Sequence, residues 1–298
     1  MRNTFLRPLV LASLALFASG AALAADTAPT GRGDLTRQVH ATRLNGESGA
    51  AAQILFHGGP VMTNANGVNV YIVWYGNWAG NTATTIVPEF LNHLGGSPYY
   101  GINTTYYDAS NVHVQNKVTL KGQYSDSYSH GTALNDAAIA DIVRAAVVGR
   151  HLPADQNALY FVLTSKDVNE TSGFCTAYCG WHTHAAYKGG DYKYSFVGDA
   201  ARCLPACAWQ STSPNGNPGA DGMLSVIAHE LEETVTDPDL NAWFFASGQE
   251  NADACAWTFG TTYTAPNGTL ANMNLNGHDY LIQRNWIQAT AGRCDMHL

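Results

Sequence analysis

Charge is scarce in this chain. Only 13% of its 298 residues are Asp, Glu, Lys or Arg, and 46% are hydrophobic. A disordered chain has the opposite balance, because it is charge-rich and too apolar-poor to bury a core. Basic charge is scarcer still: 15 Lys and Arg stand against 23 Asp and Glu, a formal net charge of -8. No Lys/Arg cluster is present, so the footprint needed to neutralise nucleic-acid phosphates is missing. Glycine shows no three-residue period and the apolar residues no heptad, which excludes collagen and coiled coil. No apolar run reaches the roughly 18 residues of a membrane span, so no stable membrane insertion is expected. Also missing are the Gly-x-Ser-x-Gly elbow and the phosphate-cradling Gly-x-x-x-x-Gly-Lys and Gly-x-Gly-x-x-Gly loops.

What is present begins with an address. Residues 1–24 read as a secretory signal peptide. Arg2 and Arg7 supply the positive start, Leu9 to Ala18 is apolar apart from Ser13, and Ala22-Leu23-Ala24 is a small-x-small cleavage site. Its Ala/Leu-rich style suggests a bacterium. Residues 25–52 are small, polar and aperiodic, a flexible N-terminal segment, and 53–298 has the length of one domain with a substantial core. The expected location is secreted, extracellular or periplasmic. In that oxidising setting the even set of six cysteines predicts three disulfides. Short spacings favour Cys175–Cys179, Cys203–Cys207 and Cys255–Cys294. A structural zinc site built from the two Cys-x-x-x-Cys pairs is the rival.

Periodicity gives the fold class. Val68 to Tyr75 is β-branched and aromatic and reads as a buried strand, as does Ala158 to Thr164. His113 to Leu120 alternates like a strand, and Tyr192 to Val197 is a weaker one. Residues 82–94 place Ile86, Phe90 and Leu94 on one helical face before Gly95-Gly96. Asn135 caps a helix through 148 that is followed by Gly149. A third helix spans 221–236. Alternating strands and helices predict an α/β, single-domain mixed-sheet sandwich, with a zincin-like active-site helix and a disulfide-braced, loop-rich C-terminal part.

That third helix carries the chemistry. Leu224, Ile227, Ala228, Leu231 and Val235 form its buried stripe, while His229, Glu233 and Asp237 recur at four-residue steps on another. An i, i+4 pair puts two ligands one turn apart on a rigid face, which a metal site requires. Glu230 beside the first ligand is placed to deprotonate metal-bound water, the logic of His-Glu-x-x-His zinc hydrolases. Here the second His is Glu233. The added carboxylate lowers the positive charge at the metal and makes bound water less acidic, and it admits other divalent ions beside zinc. Glu250 is the expected third ligand and Asp253 a carboxylate orienting a ligand imidazole. Asp237 is the alternative ligand, then His182 and His184, which face one side if their segment is extended.

The chain also resembles a known family. The matching segments are His57-Gly58-Gly59-Pro60-Val61, Val70-Tyr71-Ile72-Val73-Trp74-Tyr75-Gly76, Cys179-Gly180-Trp181-His182, and Cys203-Leu204-Pro205-Ala206-Cys207-Ala208-Trp209. Gly219-Ala220-Asp221-Gly222-Met223 and Asn276-Gly277-His278-Asp279-Tyr280-Leu281 follow. Together they resemble the exordium/phosphate-induced protein family, with this chain as a bacterial member. The resemblance implies export, a setting at the cell wall, a link to growth and cell expansion, and no settled biochemical activity.

Two functions are expected. The first is a secreted metal-dependent hydrolase, a zinc metallopeptidase-like enzyme acting on peptide or protein, with His229, Glu233 and Glu250 on zinc and Glu230 as general base. The second is a non-enzymatic extracellular binding protein at the cell wall or cell surface. Its partner would be wall polysaccharide, with 7 Trp and 15 Tyr supplying stacking faces.

Overall fold

The computed structural model describes residues 53–289 and 291–298. The signal peptide and the flexible segment expected over 1–52 lie outside the described residues. The central sheet is built from Val68–Tyr75 (β1), Val118–Asp126 (β2), Ala158–Thr164 (β3), Gly180–Tyr187 (β4) and Gly190–Gly198 (β5). Its order is β2-β1-β3-β5-β4. The first four of these neighbours run parallel, and β4 closes one edge antiparallel to β5. β3 is buried at every residue and β1 at all but one. Strands covered on both faces require such continuous apolar runs. The edge strand β2 keeps the alternating pattern instead. It starts at Val118, later than the alternation from His113 predicts. Val114 is buried in the preceding loop, and the β1–β2 register shifts between Val70 and Tyr71.

The helices are Ala83–Leu94 (α1), Asp136–Val148 (α2) and Pro218–Thr236 (α3). α1 and α3 pack on each other, α3 also lies on β4 and β5, and α2 packs on β3 and β5. The Asn135 side chain accepts from the Ala138 N–H at 2.9 Å, the cap its position predicts. α3 begins three residues before Asp221. Asn217 accepts from the Ala220 N–H at 3.1 Å and Pro218 opens the helix, where its missing N–H costs nothing. The α/β sandwich is therefore as expected, with one difference at α3. Almost the whole helix is buried, because loops from the C-terminal third cover the face expected to line a cleft.

Three disulfides form, but two are not the local ones. Cys175 pairs with Cys203 and Cys179 with Cys207, while Cys255–Cys294 is as expected. Among the described residues no cysteine is left free for zinc. Cys203 caps and Cys207 ends a single helical turn, Leu204–Cys207, facing the loop before β4. Both crossing bridges close 28-residue separations. By loop-closure entropy such a bridge constrains the unfolded chain by about 4 kcal/mol, against about 2 for a four-residue loop. The C-terminal part is a set of two-stranded ladders such as Met273–Leu275 with His278–Tyr280. Asn276-Gly277 turns that hairpin with both residues at positive φ, 49° and 83°, as a tight turn requires.

Candidate functional site

Three segments converge on α3. The helix contributes His229, Glu230 and Glu233, β4 contributes His182, and the C-terminal loops contribute Glu250, Asp253 and Gln283. His229 is 2% exposed, Glu230 and Glu233 are fully buried, and Glu250 is 3% exposed. His229 Nε2 lies 2.9 Å from Glu233 Oε1, one turn away, and 3.7 Å from Asp253 Oδ1. The Asp253 N–H donates to the same Glu233 oxygen at 3.0 Å. On the other side of Glu233, His182 Nε2 lies 3.7 Å from Oε2 and 3.1 Å from Glu250 Oε2. Glu233 is thus the hub between two imidazoles. Gly180 admits Glu230: a Cβ there would meet its Oε1 at 3.1 Å and Val226 Cγ1 at 2.6 Å.

The electrostatics divide the two histidines. Burial alone would lower the His229 pKa, but the Glu233 carboxylate, with Glu230 and Asp253 nearby, overrides it and pushes it up to about 10. His182 feels burial most strongly and drops to about 4, despite the opposing pull of Glu233. Burial and the surrounding carboxylates raise Glu250 well above the ordinary range. Gln283 Nε2 sits 2.5 Å from His229 Nδ1. An amide N–H donating there makes Nδ1 the acceptor and leaves the ring proton on Nε2, facing Glu233. A doubly protonated ring requires the amide turned over.

The expected site residues fall as follows. His229, Glu233 and Asp253 have ligating atoms within 4.8 Å of one another, as do His182, Glu230 and Glu233. Glu250 reaches His182 rather than His229. Asp237 caps the end of α3, where its Oδ1 accepts from the Asn241 and Ala242 N–H groups at 2.6 Å each. Burial raises its pKa to about 6. His184, at the half-exposed end of β4, pairs with Asp191 at 2.9 Å. Two participants escaped sequence reasoning. Glu232 is buried on the opposite side of α3, accepting from Tyr99 Oη at 3.0 Å, and Gln283 comes from a loop 54 positions beyond His229. No local pattern marks Gln283. Three glutamates within four residues read as a solvated face, so the all-round burial of the helix was not legible from them.

Fold and cluster together define a cystine-braced α/β domain whose histidine–carboxylate core is sealed under its own C-terminal loops. The chain belongs to the phosphate-induced protein 1 family: residues 54–288 match that family's conserved region. It is 31% identical over 272 residues to Protein EXORDIUM-like 5 of Arabidopsis thaliana, covering 78% of this chain and 74% of that protein. Protein EXORDIUM-like 3 of the same plant is 32% identical over 274 residues, covering 78% and 80%. Protein PHOSPHATE-INDUCED 1 of Nicotiana tabacum is 27% identical over 220 residues, covering 63% and 67%. No solved structure matches.

These findings overturn the enzyme reading. The relatives carry the names EXORDIUM-like and PHOSPHATE-INDUCED and none is named as a hydrolase, so the zinc metallopeptidase-like function and the zinc or other divalent cofactor are withdrawn. The geometry gives the physical reason. The helix lacks the second histidine of a zincin, and Glu230, expected to activate water for a substrate, is fully buried. The protein is exported, extracellular or periplasmic, in keeping with its family and its three disulfides. Among the described residues no helix is long and apolar enough to cross a membrane.

Proposed function

We propose that this is a non-enzymatic extracellular binding protein that acts at the cell wall or cell surface, with wall polysaccharide as its partner. The observation that carries this reading is the closure of the α3 cluster. His182, His229, Glu233 and Glu250 lie against one another beneath the C-terminal loops, shut off from any substrate, so we read their chemistry as serving the scaffold. The surface offers stacking faces instead. Most of the tryptophans and tyrosines pack in the core, but Trp209 is 42% exposed and Tyr263 41%. An amphipathic ring at the surface gives a sugar face an apolar partner beside polar groups. We also propose that residues 1–24 are a cleaved signal of bacterial type, that 25–52 precede the domain as a flexible segment, and that His229, Glu230, Glu233, Glu250, Asp253 and His182 act as one interior network that fastens the C-terminal loops to α3.

The test is co-sedimentation of the purified protein with insoluble cellulose, xylan and β-glucan. Retention on at least one, reduced in Trp209→Ala, is the expected result. No retention on any wall polymer overturns the reading.

A further inference from the structure

We propose that the crevice at the carboxyl ends of β1, β3 and β5 binds a neutral oligosaccharide, an inference that rests on the wall-binding reading above and adds to it a site distinct from Trp209. The topology makes the crevice. From β1 the chain crosses to β2 on one side, and β3 and β5 are then added on the other. The loops leaving β1 and β3 therefore diverge, and in open α/β sheets ligands bind outside the strands' carboxyl ends where the order reverses in this way.

A hollow of about 640 Å³ lies at that point, within the usual size of a ligand site. Asn77, Asn81 and Thr82 line it from the loop after β1, Lys166 and Asp167 from the loop after β3, and Asp199 from the end of β5. A second hollow of about 760 Å³ adjoins it, sharing Lys166 and Asp167, and is walled by the Cys175–Cys203 bridge. The pair forms an extended groove.

The base of the groove is held in place. Gly76 has φ 100°, and a Cβ there would come within 2.1 Å of Ser165 Oγ, so glycine lets the first residues of the two loops touch below the point where they part. Ser165 Oγ accepts from the Asn77 N–H at 3.0 Å and donates to Asp167 at 2.6 Å. Asp199 accepts from the Ala201 N–H at 2.9 Å. Lys166 is exposed, and its charge acts on the nearby Asp199 carboxylate.

The lining chooses the ligand class. Carboxylates accept, an ammonium donates, and amides and hydroxyls do both. That mixture complements hydroxyl groups, each of which also donates and accepts. A phosphate or uronate needs a surplus of donors and positive charge, whereas the groove sets Asp167, Glu170 and Asp199 against Lys166 and Arg202.

The experiment is calorimetric titration of the full chain with cellohexaose, xylohexaose and laminarihexaose. It compares wild type with Ala79→Trp, which fills the hollow from an exposed rim position, and with Lys166→Ala. At least one hexasaccharide should bind wild type, and Ala79→Trp should weaken it by at least about tenfold at an unchanged melting temperature, with a smaller loss in Lys166→Ala. Equal affinity in Ala79→Trp, or titration by oligogalacturonate in place of the neutral sugars, overturns the inference. So does retention on insoluble polymer without any hexasaccharide binding, and in these cases the wall-binding reading stands if co-sedimentation persists. Failure of co-sedimentation removes that reading first.

Discussion

Two parts of this molecule are rich in polar and ionisable groups, and they are built in opposite ways. At the α3 cluster, His182, His229, Glu233 and Glu250 are closed from water and face one another, with His182 Nδ1, Glu233 Oε2 and Glu250 Oε1 left without a hydrogen-bond partner among the described residues. At the strand ends, Lys166 and Asp167 stand exposed around a hollow. Burial makes the first set expensive to disturb, since each charge depends on its partner. Exposure makes the second set cheap to change and available to something outside. The contrast teaches that residue types suited to catalysis do not locate function by themselves. Their access to solvent decides whether they bind a partner or hold the fold.

That contrast can be broken by mutation. His229→Ala should be the most damaging change, costing about 3–5 kcal/mol by leaving Glu233 buried beside an empty site. Urea unfolding measures it, and a loss below about 1 kcal/mol would mean the pair is not integral to the core. Next is the bridge that pins the strand-end loops. Cys179→Ala with Cys207→Ala should cost about 3–4 kcal/mol from the 28-residue separation it closes. If reduction of wild type leaves the unfolding midpoint unchanged, the crossing bridges do not brace the domain.

The pH dependence sharpens the comparison further. The His182 pKa falls from 6.5 unfolded to about 4 folded, so folding favours its neutral form. Its contribution is complete above pH 6.5 and is lost as pH falls towards 4, an effect of about 3 kcal/mol. Asp237, raised from 3.8 to about 6, works in the other direction: its contribution is present below pH 3.8 and is lost as pH rises through 6. The net acid limb is thus a difference, and His182→Gln isolates one side of it. Unfolding free energies from pH 7 to 4 should fall less in His182→Gln than in wild type, and parallel curves would contradict the assignment. The smallest effect belongs to the open region. Lys166→Ala should change stability by no more than about 0.5 kcal/mol, and a large loss in urea unfolding would show that the crevice is scaffold too.

The sequence announced those elements whose patterns depend on local burial. Val68–Tyr75 and Ala158–Thr164 were legible because a strand covered on both faces must be continuously apolar. Asn135 and Gly149 bracketed α2 because caps are local. At the cluster, the His229–Glu233 pair was legible from four-residue spacing, whereas the approach of Glu250 to His182 depends on how a loop returns across β4. The crossing disulfides were missed for the same kind of reason: spacing favours near neighbours, but the fold sets the loop before β4 beside the turn at Leu204–Cys207. The crevice had no motif at all. It arises from strand order, which no single segment contains.

The central claim is that the histidine–carboxylate core maintains the structure and performs no metal chemistry. Elemental analysis of the purified full chain tests it most directly. No bound metal near one equivalent is expected, in wild type or in His229→Ala. One equivalent of zinc or another divalent ion in wild type, absent from His229→Ala, would contradict it.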